Sequence, residues 1–191
     1  MTIAEHLSVF VAIVIGLAFS TLAMNLHRLL VAGRKVEWDW LTPLLAVFML
    51  FVTVSHWWAS FYWHAKAEVL TIGQFMPDLI NLMLFFLAVA AVLPEQVPDE
   101  GLNLRAFYFE RARYVWTLMA LTVLAAGATN AVRNPPGTST HDWLVGVGLN
   151  LGFAALVAVL TVTRRVWLHG LILIAVLAVS VAVNLGQTIG G

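Results

Sequence analysis

Six long stretches of almost unbroken apolar residues divide this chain, at about 5–30, 41–64, 74–93, 112–132, 142–163 and 167–188. Each supplies roughly the 20 residues that a helix needs to cross the hydrocarbon core of a bilayer. The turns between them are short, which predicts antiparallel neighbours in an all-α polytopic transmembrane bundle of six helices, forming one domain over 1–191. Prolines cluster near the segment ends, at Pro43, Pro77, Pro94, Pro98, Pro135 and Pro136. None interrupts a segment centre, where transporters with broken helices carry theirs.

Charge orients the bundle. Eight of the ten Lys and Arg residues fall at the first, third and fifth connections: Arg28, Arg34 and Lys35, then Arg105, Arg111 and Arg113, then Arg164 and Arg165. The second and fourth connections hold only Lys66 and Arg133. Cytoplasmic loops carry the excess of basic residues, so the odd connections are expected inside and both termini outside. No basic stretch precedes the first apolar segment, which reads as an uncleaved first span. Trp38, Trp40, Tyr62, Trp63, Trp143 and Trp167 stand at segment ends, where aromatic side chains anchor in the interface.

Composition removes whole classes of function. Hydrophobic residues make up 61% of the 191 positions and charged ones 10%, with zero net charge, so no basic footprint for nucleic acid exists. The absence of cysteine excludes disulfides, thiolate catalysis, iron–sulfur ligation and cysteine zinc sites. The segment PEQVPDEGLNLRAFYFERAR, residues 94–113, is the largest stretch outside the apolar segments. It reads as a turn followed by an early start to the fourth helix, with docking of a cytoplasmic partner as the alternative.

Polar residues inside apolar segments carry the remaining information, because lipid makes them costly. Thr53, His56, Ser60 and His64 share a stripe on the second segment, with Trp57 alongside. Gln74, Asp78 and Asn81 mark the third segment, Thr122, Ala126 and Asn130 the fourth, Asp142, Gly146 and Asn150 the fifth, and Ser180, Asn184 and Gln187 the sixth. Given the threading, these stripes reach a similar depth in the outer half and should turn toward one another. The inner half is expected to close with Val, Leu, Ala and Phe. A ligand pocket is therefore expected around His56, Trp57, Asp78, Asn81, Asn150 and Asn184, with the Trp57–Trp58 pair as a wall. Glu5, His6, His64, Glu68, His141 and Asp142 would form its outer rim. Plain interhelical hydrogen bonding is the competing reading of each amide.

His56 could in principle ligate a metal or haem, but no second histidine sits at a matching offset, so neither a metal nor another cofactor is expected. No catalytic motif appears, and His27 and His169 read as interfacial anchors near the inner surface. Gly16 and Ser20 on the first segment, and Gly148 and Gly152 on the fifth, have the four-residue spacing that lets helices pack closely.

The runs GLAFSTLAMNLHRLLVAGRKVEWDWLTPLLAVFMLFVTVSHWW and LPEQVPDEGLNLRAFYFERAR resemble a family of small, uncharacterised multi-pass proteins of bacterial inner membranes. The resemblance implies that placement and adds no catalytic residue. The sequence thus points to a non-enzymatic membrane protein with a periplasm-facing polar pocket, a binding or accessory component. A small oligomeric channel or transporter is the alternative, and a haem electron carrier or intramembrane enzyme comes third. Expected partners are the lipid bilayer and either a second copy or another membrane protein.

Overall fold

The computed structural model describes residues 3–64, 71–133 and 140–184, and the side chains of 3–5, 7, 59–64, 142, 183 and 184 lie outside the description. Among the described residues the fold is an all-α bundle of six helices: α1 (Ile3–Ala32), α2 (Leu41–His64), α3 (Ile72–Ala90), α4 (Leu104–Arg133), α5 (Thr140–Val162) and α6 (Val166–Asn184). The first five are long and apolar enough to cross a membrane; the sixth has a shorter apolar stretch, Val166–Ala182. The protein is accordingly a membrane protein. Its outward surface agrees: Ile13, Leu17, Leu30, Leu144, Leu149, Val159, Leu171, Ile174 and Val179 are all exposed. An apolar surface of that extent is tolerable only against lipid.

Helix α4 occupies the middle of the arrangement, flanked by α3 and α5 and touching α2; α1 packs on α2 and α3, and α6 packs on α2. One core runs through Leu22, Leu29, Leu45, Met49, Phe85, Val89, Leu104, Val115, Trp116, Leu160 and Leu173. On α1 the buried positions are Val11, Ile15, Ala18, Leu22, Asn25 and Leu29. Alternating steps of four and three keep such a set on one helical face.

Within the chain, the helix-packing expectation for Gly16, Ser20, Gly148 and Gly152 is not met. All four are exposed, and a β-carbon at Gly16, Gly148 or Gly152 would meet no atom within 4 Å. Four-residue spacing marks a face without saying which way it looks. The glycines that bring elements together are Gly127, against Asn150 of α5, and Gly170, over which the Trp40 ring lies.

At the end where the basic residues gather, two connections are stitched together. A 3₁₀ turn, Gly33–Lys35, leads into β1 (Val36–Glu37), which pairs in parallel with β2 (Leu102–Asn103) in the register Val36 to Leu102 and Glu37 to Asn103. Lys35 Nζ lies 2.9 Å from Asp99. Gly101 has φ +102° and lies so close that a β-carbon would sit 3.1 Å from the Lys35 carbonyl. Only glycine adopts that conformation at no steric cost. Asn103 caps α4 by accepting the Ala106 N–H at 2.9 Å. This cap explains why α4 begins at Leu104, eight residues before the apolar stretch at 112.

The core at this end is not purely apolar, contrary to expectation. Asn25, Thr42 and His169 are buried. Asn25 Nδ2 donates to the Leu93 carbonyl at 3.4 Å, and Thr42 Oγ1 donates to the Leu104 carbonyl at 3.0 Å. His169 is fully enclosed rather than an interfacial anchor. Its Nε2 lies 3.0 Å from the Thr163 carbonyl and its Nδ1 2.8 Å from the Tyr108 hydroxyl. A carbonyl can only accept, so Nε2 carries the proton and the neutral ring accepts from Tyr108 at Nδ1. The histidine thereby ties the α5–α6 turn and the start of α6 to the start of α4.

Candidate functional site

At the opposite end the helices part around a cavity of about 860 Å³. Its walls come from five helices: Val11 of α1, His56 of α2, Phe75, Asp78, Asn81 and Leu82 of α3, a run of α4 from Leu124 to Arg133, and Trp143, Gly146, Val147, Asn150 and Leu151 of α5. Pockets that hold small molecules span roughly 300–1,000 Å³, so this one is large enough for a drug-sized ligand.

Each wall is set by local sequence. Thr71 caps α3 through a reciprocal box, its hydroxyl accepting from the Gln74 N–H at 3.3 Å while its own N–H donates to Gln74 Oε1 at 3.0 Å. That fixed start places Asp78 one turn beyond Gln74. Because α3 and α4 run antiparallel, the last residue of α4 arrives beside it. Arg133 donates from Nη1 to Asp78 Oδ1 at 3.0 Å and from Nη2 to Oδ2 at 2.9 Å, with a further Nη2 bond of 2.6 Å to the Gln74 carbonyl. This fork is the strong, planar form of the Arg–carboxylate contact. The two side chains keep 34% and 28% of their surface exposed, which puts the pair at the mouth rather than in the interior.

Deeper in, the two amides bind helices together. Asn81 Nδ2 donates to the Thr122 carbonyl at 2.7 Å, and Asn150 Nδ2 donates to the Val123 carbonyl at 3.2 Å. Neighbouring carbonyls of α4 thus hold α3 on one side and α5 on the other. Thr122 turns its own hydroxyl to the Leu118 carbonyl at 2.8 Å. The Asn150 carboxamide lies directly over Gly127, where a β-carbon would come within 2.1 Å of its oxygen.

His56 is half-buried on the cavity wall, stacked on Phe85 with ring centroids 5.1 Å apart and 15° between the planes. Of the residues expected to form a pocket, His56, Asp78, Asn81 and Asn150 line this one cavity. Trp57 does not. It stands about 100° around α2 from His56 and packs on Val11, Ile15 and Leu82. Its ring is 6.4 Å from that of Trp58, and neither indole lines the cavity, where the aromatic walls are Phe75 and Trp143. The Asn184 side chain lies outside the described residues, as do those of Glu5, His64 and Asp142 and the whole of Glu68. His6 and His141 are exposed and do not reach the cavity wall.

The sequence pattern sets Arg133 in the fourth connection and Trp143 as an interfacial anchor, whereas both line the cavity. The signal for Arg133 was present: an antiparallel α3–α4 hairpin sets the end of α4 beside Gln74 and Asp78. Among the described residues no three His, Cys, Asp or Glu side chains come together as a metal site. No family model, curated protein or solved structure matches this chain.

Proposed function

We propose that this is a multi-pass protein of a bacterial inner membrane, with both termini on the periplasmic side, that binds a ligand in the cavity between α3, α4 and α5. It acts as a non-enzymatic binding or accessory component rather than as a catalyst. The observation that carries the reading is the cavity of about 860 Å³ onto which four helices bring His56, Asp78, Asn81, Asn130, Arg133 and Asn150. Its mouth lies at the end away from the basic connections, which on the positive-inside rule is the outer end. A second reading, an oligomeric channel or transporter, is favoured by the outward Gly148 and Gly152, which leave a smooth face without in-chain packing.

Native mass spectrometry of the protein extracted gently from its own membrane tests both. A bound molecule of defined mass, or a one-to-one complex with another protein, supports the binding or accessory reading. A homo-oligomer of fixed number that conducts solutes in liposomes supports the channel instead. A bare monomer that takes up nothing overturns both.

A further inference from the structure

The cavity has a gradient along its length. Asp78, Thr129, Asn130, Arg133 and Trp143 stand toward the mouth, while Val11, Leu82, Leu124, Val147 and Leu151 line its depth. From Trp143 to Leu151 the depth is about 12 Å along α5 by helical rise, a substantial part of one leaflet's share of a hydrocarbon core roughly 30 Å thick. The polar groups at depth are partly spent, since Asn81 and Asn150 each commit a donor to an α4 carbonyl. What faces an occupant is a charged mouth above a mostly apolar shaft that also carries His56 and the two amides, broadly the order of polarity of the bilayer beside it.

Helix α5 packs most extensively on α4, while Val11 and His56 form the facing wall from α1 and α2. The cavity is thus bounded by α5 on one side and by α1 and α2 on the other. Resting on the ligand-binding reading above, we propose that the occupant is a membrane amphiphile that enters between α5 and the α1–α2 pair. Its chain lies along Leu82, Leu124, Val147 and Leu151, and its headgroup meets the Asp78–Arg133 pair. An alkyl chain gains little by leaving lipid for an equally apolar wall, so the headgroup decides selectivity. The pair offers one charge of each sign at partial exposure, and the matching headgroup is zwitterionic, with its amine toward Asp78 and its phosphate or carboxylate toward Arg133.

Gly146 makes the test clean. It lines the cavity, and a β-carbon there would meet nothing within 4 Å. Gly148 is equally unobstructed but is not a wall residue. Gly146→Trp therefore plugs the cavity and Gly148→Trp is a matched control, since both replace a glycine in the same helix. The protein is placed in bilayers containing a phosphoethanolamine lipid with a diazirine in mid-chain, irradiated, and mapped by peptide mass spectrometry. Labelling of Leu82, Leu124, Val147 or Leu151 is expected in the wild type and in Gly148→Trp, and its loss in Gly146→Trp. Circular dichroism and a single elution peak establish that both variants fold.

Equal labelling of the wall residues in both variants, or labelling confined to outward residues such as Leu144 and Leu149, overturns the proposal. Wall labelling obtained only with a phosphoglycerol headgroup overturns the zwitterionic assignment. If the lipid probe never labels the wall while Gly146→Trp strips a bound water-soluble mass in native spectra, the amphiphile fails and the ligand-binding reading stands. If neither signal exists, both fail.

Discussion

Gly127→Ala is the substitution for which competing effects are closest to balance, and its outcome depends on a residue of another helix. In an isolated helix, replacing glycine by alanine stabilises by roughly 0.5–1 kcal/mol, because alanine has less backbone freedom to lose. Here the new β-carbon would lie 2.1, 2.4 and 2.7 Å from Oδ1, Cγ and Nδ2 of Asn150. No arrangement keeps the carboxamide in place at those distances. The side chain must swing away, and its bond to the Val123 carbonyl, 3.2 Å in the structure, is lost. Interhelical bonds of this kind contribute about 0.6–2 kcal/mol within membranes. Gly127→Ala alone is thus expected to fall between a gain of about 0.4 and a loss of about 1.5 kcal/mol, the two terms opposing each other. In an Asn150→Ala background the clash and the bond are both gone. The same substitution should then stabilise by the full helix-propensity term.

The informative quantity is the coupling between the two sites, expected at about 0.6–2 kcal/mol, the size of the bond at stake. It can be read from reversible unfolding of the four proteins of the cycle in mixed micelles, followed by intrinsic tryptophan fluorescence. Independent sites add within about 0.3–0.5 kcal/mol. If Gly127→Ala has the same effect in both backgrounds within that margin, Asn150 does not lie over Gly127 and the α4–α5 packing described above is wrong.

Two further predictions concern the opposite end and the threading. His169→Leu keeps a similar volume but leaves the buried Tyr108 hydroxyl without its acceptor, and an unpaired buried polar group costs about 1–3 kcal/mol. Most of that loss should be recovered in the double variant with Tyr108→Phe, and additive losses in thermal unfolding would refute the described Tyr108–His169 bond. The chain has no cysteine, so single introduced cysteines report position without background. A membrane-impermeant maleimide applied to spheroplasts should label Thr140→Cys and spare Arg34→Cys, and the reverse pattern would invert the proposed orientation.

Helix existence was legible because each apolar segment carries its signal within a single stretch of some 20 residues. The start of α4 was harder to read. Leu104, Tyr108 and Ala112 form a buried stripe at four-residue spacing, but Arg105, Glu110, Arg111 and Arg113 dilute its apolarity. The Asn103 cap becomes obvious only once its bond to Ala106 is known. The β1–β2 pairing and the His169–Tyr108 bond join residues more than sixty positions apart. Neither has a local periodicity to betray it. Small-residue spacing failed for a different reason: Gly148 on an outward face and Gly127 under Asn150 look alike in one dimension.

The polar stripes were legible in position but divided in purpose, and the division follows from where hydrogen-bond capacity is spent. Asn81 and Asn150 lie on the cavity wall, yet each commits a donor to a carbonyl of α4, at the adjacent residues Thr122 and Val123. A helix interior normally hides its carbonyls within its own ladder, and a second bond to such an oxygen uses its remaining lone pair. These two amides therefore do for α3 and α5 what apolar contact cannot do in lipid, where association gains nothing from the hydrophobic effect. They hold two helices to α4 at the depth where α5 has few other neighbours. Asp78 and Arg133 answer a different need, since a forked pair left about a third exposed at a helix junction contributes modestly to stability. On the proposed ligand-binding reading, selection of an occupant rests on the mouth, and the amides below it hold the helices that bound the space.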